Sequence, residues 1–274
     1  MNGGAWIFAS VLLSLTVLHA PANQPPDLEW VDIPGGRFIL GSREPGAAHP
    51  PEAIDLPAFS LSAREISVEE FCSYLNDSAQ GLSHPHPQIE FSTGRFRPLE
   101  GLRHEPLAFA SYPDAMAFCV WLDGLLDAEV RLPTPQEWEA AARGGIGGGR
   151  YPWGWGDPLG RANFASEGAR AAGSYPANGY GLFDMAGNLF EWCRSAESEA
   201  APARGGSWAE NDPKLLRVFS QIRLPKEYRG ADVGFRVVAI HPGEGKGDKN
   251  ETAAGHRQQK QDQGDRVDIQ GRRP

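Results

Sequence analysis

Sulfur is scarce in this chain, with three cysteines and three methionines among 274 residues. Three cysteines close at most one intramolecular disulfide, which excludes a disulfide-built scaffold. Positive charge is in deficit too: 26 Lys and Arg face 35 Asp and Glu, a net charge of −9. That balance argues against a nucleic-acid-binding face and against a polybasic membrane surface. The apolar run Ala5–Leu18 is free of charge, but it falls short of the roughly 20 residues a membrane-crossing helix needs. No glycine-rich phosphate loop leads into a helix, and neither G-x-S-x-G nor H-E-x-x-H occurs.

Glycine and proline, by contrast, are plentiful at 33 and 23 residues. Without a Gly-X-Y period they do not make a collagen. They point to a fold rich in turns and irregular backbone, held by a core drawn from 41% hydrophobic residues and eight tryptophans. Length sets the expectation at one large domain or two small ones. The run Ala5–Leu18 followed by Ala20-Pro21-Ala22 reads as the apolar stretch and A-x-A cleavage site of a secretory signal over residues 1–22. An exported chain, periplasmic or secreted, is therefore expected, with no transmembrane helix in its mature form. From Gly243 onward only Val267 and Ile269 are large apolar residues. Such a segment cannot bury enough surface to offset its ordering entropy, so residues 243–274 read as a disordered tail. One folded domain over 23–242 remains.

Local signals divide that domain. Trp30–Ile33 and Gly36–Leu40 read as two short strands around a Gly-Gly turn. Three helices have clear starts: Ser67 with Glu70, Ser111 with Asp114, and Thr134 with Pro135 and Glu137. Gly144 stops the third after Arg143. Beyond it the chain shows little periodicity until Val233–Ile240. These signals add up to an α+β domain with few helices and much irregular structure. His84 and His86 would lie on one side of an extended segment and could offer two metal ligands, but with no third ligand in sight an exposed Pro-rich loop is the expectation.

The motifs WVDIPGGRFILGS, REISVEEFCSYLN, RLPTPQEWEAAARGG, YPWG, ANGYGLFDMAGNLFEWC, ARGGSW and GFRVV occur in one order over about residues 28–240. The set resembles the sulfatase-modifying-factor family, whose founding member is the formylglycine-generating enzyme. The resemblance implies a C-type-lectin-like α+β fold of low regular content. In the enzyme, two cysteines shortly after the GGS motif bind copper and oxidise a substrate cysteine. Here Gly205-Gly206-Ser207 is followed by Glu210 and Leu215 at those positions. Leucine cannot form a thiolate or bind a soft metal, so no copper is expected. Ser207 and Arg223 match residues of the family's pocket, and with Glu210 they are the candidate cleft residues. Cys119 matches a family cysteine whose partner follows GFR, where this chain has Val237.

Asp184 and Glu191 flank a Gly187-Asn188 turn, an arrangement that can supply two carboxylates and inward-facing carbonyls to a hard cation. By resemblance these positions form a structural calcium site, with side chains from Asp184 and Glu191 and carbonyls from Gly187 and Leu189. A second family calcium site, beginning at Asn163-Phe164, is not matched throughout. The expected function is a non-formylglycine-generating accessory or ligand-binding module, its partner a small molecule or a protein and not a nucleic acid. The alternative is an oxidoreductase acting in the same cleft on a small molecule or peptide, with Glu210 as base, and formylglycine generation comes third.

Overall fold

A computed structural model describes residues 24–78, 80–82 and 84–242. The expected signal and tail lie outside the described residues. All three capping boxes form, each with its Ser or Thr side chain accepting from the N3 amide and the N3 carboxylate accepting from the cap amide. They open α1 (Val68–Asp77), α2 (Tyr112–Asp123) and α3 (Pro135–Ala142). Arg143 caps the end of α3, and Gly144 turns the chain away at φ +56°, a conformation a side chain would resist.

The strands form two four-stranded sheets. One has the order β1 (Trp30–Ile33), β4 (Phe59–Ser62), β12 (Val238–Ile240), β7 (Glu129–Arg131), all antiparallel. The other runs β10 (Ile222–Pro225), β9 (Ala200–Arg204), β8 (Phe190–Trp192), β11 (Val233–Gly234), its last pair parallel. Two hairpins, β2 (Gly36–Leu40) with β3 (Glu52–Leu56) and β5 (Ile89–Ser92) with β6 (Arg95–Pro98), stand apart from them. The two strands read around Gly35-Gly36 both exist, but they do not pair with each other. Strand β1 joins β4 while β2 joins β3. Gly35 packs against the backbone at Pro57-Ala58, where a Cβ would come within 2.7 Å of the Ala58 amide nitrogen. The glycine is there for a close crossing of two chain segments.

The main core lies between the helices and the second sheet. Phe71, Cys72 and Leu75 of α1 meet Ala115, Phe118 and Cys119 of α2 and the buried faces of β8, β9 and β11. Phe71 stacks on Phe118 at 6.2 Å between ring centroids, and Phe118 meets Phe235 edge-on at 5.5 Å. A second cluster around Trp138, Leu61 and Phe219 fills the space beneath the first sheet. Between α3 and β8 no regular element occurs over residues 143–189, where turns and side-chain bonds to the backbone replace ladders. No helix among the described residues is long and apolar enough to cross a membrane.

Candidate functional site

The Asp184–Glu191 turn is held by left-handed backbone at Asp184 (φ 54°), Gly187 (φ 79°) and Asn188 (φ 63°). A Cβ on Gly187 would lie 2.3 Å from the Asn163 carbonyl oxygen, so only glycine permits the approach. Asn188 is the hub of the turn. Its Nδ2 donates to Glu65 Oε2 (2.8 Å) and to the Arg170 carbonyl (3.2 Å), and its Oδ1 accepts from Asn163 Nδ2 and the Arg170 amide. Its backbone amide donates to the Asn163 carbonyl, and its carbonyl accepts from the Trp208 amide. The side chain thus fastens segments 65, 163 and 170 together, and the main chain adds segment 208.

Beneath the turn sits a buried cluster of three carboxylates and one arginine. Glu191 is fully buried; its Oε2 accepts from Arg236 Nε (2.7 Å) and Trp138 Nε1 (2.6 Å), and its Oε1 from Arg236 Nη2 (2.7 Å). Asp184 Oδ2 accepts from the Gly173 amide at 2.6 Å. Glu65 accepts from Asn188 and the Leu189 amide. Burial holds the Glu65 carboxyl well above the usual carboxylate range, and the charges of Asp184 and Glu191 push it further. Asp184 is raised as well, chiefly by burial.

Calcium takes six to eight oxygens. Here Glu191 is engaged by Arg236 and Trp138, with three of its roughly four lone-pair positions taken. Among the described residues no three His, Cys, Asp or Glu side chains converge as a metal site requires. A cation held by Asp184 and the Gly187 and Leu189 carbonyls would have to share Glu191 with Arg236. The residues as arranged do not complete a calcium shell. Asn163, where the second site would begin, is tied to Asn188, Gly168 and Ser166.

The GGS turn lies against the same hub, with the Gly187 amide donating to the Gly205 carbonyl at 2.9 Å. Gly205 (φ 96°) passes under Trp138, and Gly206 (φ 77°) under Leu216. Ser207 is fully buried, and its Oγ has no partner among the described residues. Glu210 sits one turn on, half-buried, its amide donating to the Ser207 carbonyl. Desolvation and the nearby charges of Asp232 and Asp212 raise its carboxyl. Leu215 packs against the main core. Arg223 lies elsewhere, on β10, where it pairs with Glu197. Among the described residues no bond or ion pair joins it to Ser207 or Glu210.

The three cysteines lie apart from the GGS turn in the sequence, at Cys72, Cys119 and Cys193. All are buried and free. Burial pushes the Cys72 thiol up to about 12 and raises Cys119 and Cys193 as well, the reverse of what a reactive thiolate needs. The residues that sequence reasoning missed are Glu65, Asn188 and Arg236. Each lies inside a quoted motif, yet its role depends on partners far away along the chain.

A family model described as the sulfatase-modifying factor enzyme 1-like domain matches residues 17–240. The formylglycine-generating enzyme of Bos taurus is 27% identical over 300 residues, 81% of this chain and 77% of that protein. The inactive C-alpha-formylglycine-generating enzyme 2 of Mus musculus is 26% identical over 289 residues, 83% and 92% of the two chains. A serine/threonine-protein kinase pkn1 of Chlamydia caviae is 33% identical over 214 residues; these are 68% of this chain but only 34% of the kinase. The chain thus spans about a third of that relative's length. Among solved structures, PvdO from Pseudomonas aeruginosa superposes with a TM-score of 0.66 at 23% identity, covering 78% of this chain and 94% of that one. Together with the ordered motifs and the mixed sheets, these matches place the chain in the sulfatase-modifying-factor family.

Proposed function

We propose that this protein is a non-formylglycine-generating member of its family, an accessory or ligand-binding module. The observation that carries the reading is the pair Glu210 and Leu215 where copper-binding thiolates are needed. A carboxylate and an alkyl group do not replace a soft sulfur pair for cuprous ion. The alternative of an oxidoreductase with Glu210 as base is less supported, because the other two cleft candidates do not join it: Ser207 is sealed from solvent and Arg223 pairs with Glu197. A relative whose printed name is an inactive enzyme shows that the family includes such members. We also infer export, from the apolar run Ala5–Leu18 and the A-x-A sequence after it.

The test is to incubate the protein with copper, oxygen, a reductant and a sulfatase-type cysteine peptide. No aldehyde should form by mass spectrometry. Turnover that persists after repurification and is lost in Glu210→Gln would overturn the reading.

A further inference from the structure

Away from the GGS turn, a cavity of about 470 Å³ opens between α1, the segment that follows it, and the start of α2. Its volume lies within the roughly 300–1,000 Å³ of small-molecule sites. Phe71 and Tyr74 of α1 line one side, and Phe109 and the ring of His86 another. Phe109 adopts a left-handed backbone at φ 58°. Bulky residues seldom pay that strain, of order 1–3 kcal/mol, outside sites that use it. Its amide is fixed by the Gly230 carbonyl at 2.8 Å, beside Arg229. Burial lowers the basicity of the His86 ring in the wall, and its Nδ1 accepts from the Gln88 amide.

The same cavity contains one arginine and one carboxylate, Arg229 and Asp114, paired at 3.1 Å and each about a third exposed. Asp114 receives Ser111 and Arg229 through Oδ2, and no bond reaches Oδ1 from the described residues. Arg229 uses its terminal nitrogens on Asp114 and, at longer range, on Glu227, whose carbonyl lies at 3.4 Å and whose exposed carboxylate lies at 3.8 Å outside the cavity lining. With five N–H donors it keeps others to offer. An apolar cavity that ends in an ion pair, and not in a lone charge, disfavours a ligand with one charge: a carboxylate meets Asp114, an ammonium meets Arg229. A dipolar head satisfies both and brings no net charge out of water.

We propose that this cavity binds a free apolar α-amino acid, with its side chain among Phe71, Tyr74 and Phe109, its carboxylate on Arg229 and its ammonium on Asp114. The proposal extends the binding-module reading, and the two fail separately. Peptide oxidation would remove that reading and leave this cavity untouched, whereas this proposal stands or falls on titration.

The probe is L-phenylalanine, titrated calorimetrically into the full chain beside 3-phenylpropanoate and 2-phenylethylamine, which each lack one charge. Phenylalanine should bind, and each analogue should bind about tenfold more weakly or worse, as loss of a charge-assisted hydrogen bond predicts. Arg229→Gln should weaken phenylalanine by about tenfold. Asp114→Asn, which keeps an acceptor for the Ser111 cap, should do the same. Ala117→Phe should fill the cavity and abolish binding. Where a variant fails to fold, the comparison of three ligands on the unaltered chain decides. No binding of phenylalanine at millimolar concentration, or equal binding of phenylpropanoate, overturns the proposal.

Discussion

Two buried polar centres share Trp138 and carry opposite excess charge. On one side its Nε1 donates to Glu191, within a cluster where Glu65, Asp184 and Glu191 face the buried cation Arg236, with the more exposed Arg64 also acting on Asp184. On the other, Arg204 lies 6.0 Å from the Trp138 ring and joins Arg143 around the single carboxylate Glu139, with His49 3.6 Å away. The contrast is in how each centre handles its surplus. A carboxylate can take up a proton, and burial favours that form in Glu65. Arginine cannot lose one. The cationic centre instead offers its charge carbonyl oxygens, Gly41 and Gly149 to Arg143 and Val218 and Ser220 to Nη1 of Arg204, while Nε and Nη2 of Arg204 have no partner among the described residues. Burial favours the uncharged form of Glu65, whereas the two arginines keep their charge against Glu139 and main-chain oxygens.

The largest expected effect comes from taking the counter-charge out of each centre. Arg236→Leu leaves three buried carboxylates without their cation and should lower unfolding stability by about 3–5 kcal/mol. Glu139→Gln leaves two arginines that keep their carbonyls, and glutamine still offers the Gly41 amide an acceptor, so about 1–3 kcal/mol is expected. Urea denaturation of both variants tests the ranking; a larger loss in Glu139→Gln would break the comparison.

A smaller effect is a slope. Glu65 ionises near the ordinary carboxylate range when unfolded but well above it when folded. The unfolded chain therefore holds fewer protons at this group between those two points. Its contribution is complete below the unfolded value and lost as pH rises through the folded one, at up to about 1.4 kcal/mol per pH unit. The pH dependence of stability in Glu65→Gln, subtracted from that of the unaltered chain, should show this fall whatever the variant's overall offset. A flat difference would mean that Glu65 is ionised when buried.

The smallest effect concerns calcium. With Glu191 occupied by Arg236, a chelator should change stability by less than about 1 kcal/mol, a melting shift of under about 4 °C for a chain of this size. A larger drop, reversed by added calcium, would place a second cation in the anionic centre and sharpen its contrast with the other.

Local chemistry was legible in the sequence where neighbours along the chain decide it. The three capping boxes and the stop at Gly144 depend on residues within four positions of each other, and all form. The expectation of no copper was equally local, since it rests on Leu215, which cannot do sulfur chemistry wherever it sits. What could not be read is pairing at a distance. Glu65 meets Asn188 across 123 positions, and Arg236 meets Glu191 across 45. Strands β8, β9 and β10 were missed because they are three to five residues long, and β8 is buried at every position, leaving no alternation to detect. The two strands around Gly35-Gly36 illustrate the same limit: their existence is local, but their partners are not.

Strand β12 comes last among the described strands, yet it occupies the interior of its sheet, between β4 and β7. Until residues 238–240 leave the ribosome, β4 and β7 have no partner between them, and Arg236 has not reached Glu191. A nascent chain cannot close this domain piecemeal from its N-terminus; it holds exposed strand edges for nearly the whole of its synthesis. Folding then depends on contacts of long sequence separation, which form slowly. Such a chain meets chaperones while still open, and a stop codon a few residues before Val238 would leave the first sheet without the strand that joins β4 to β7.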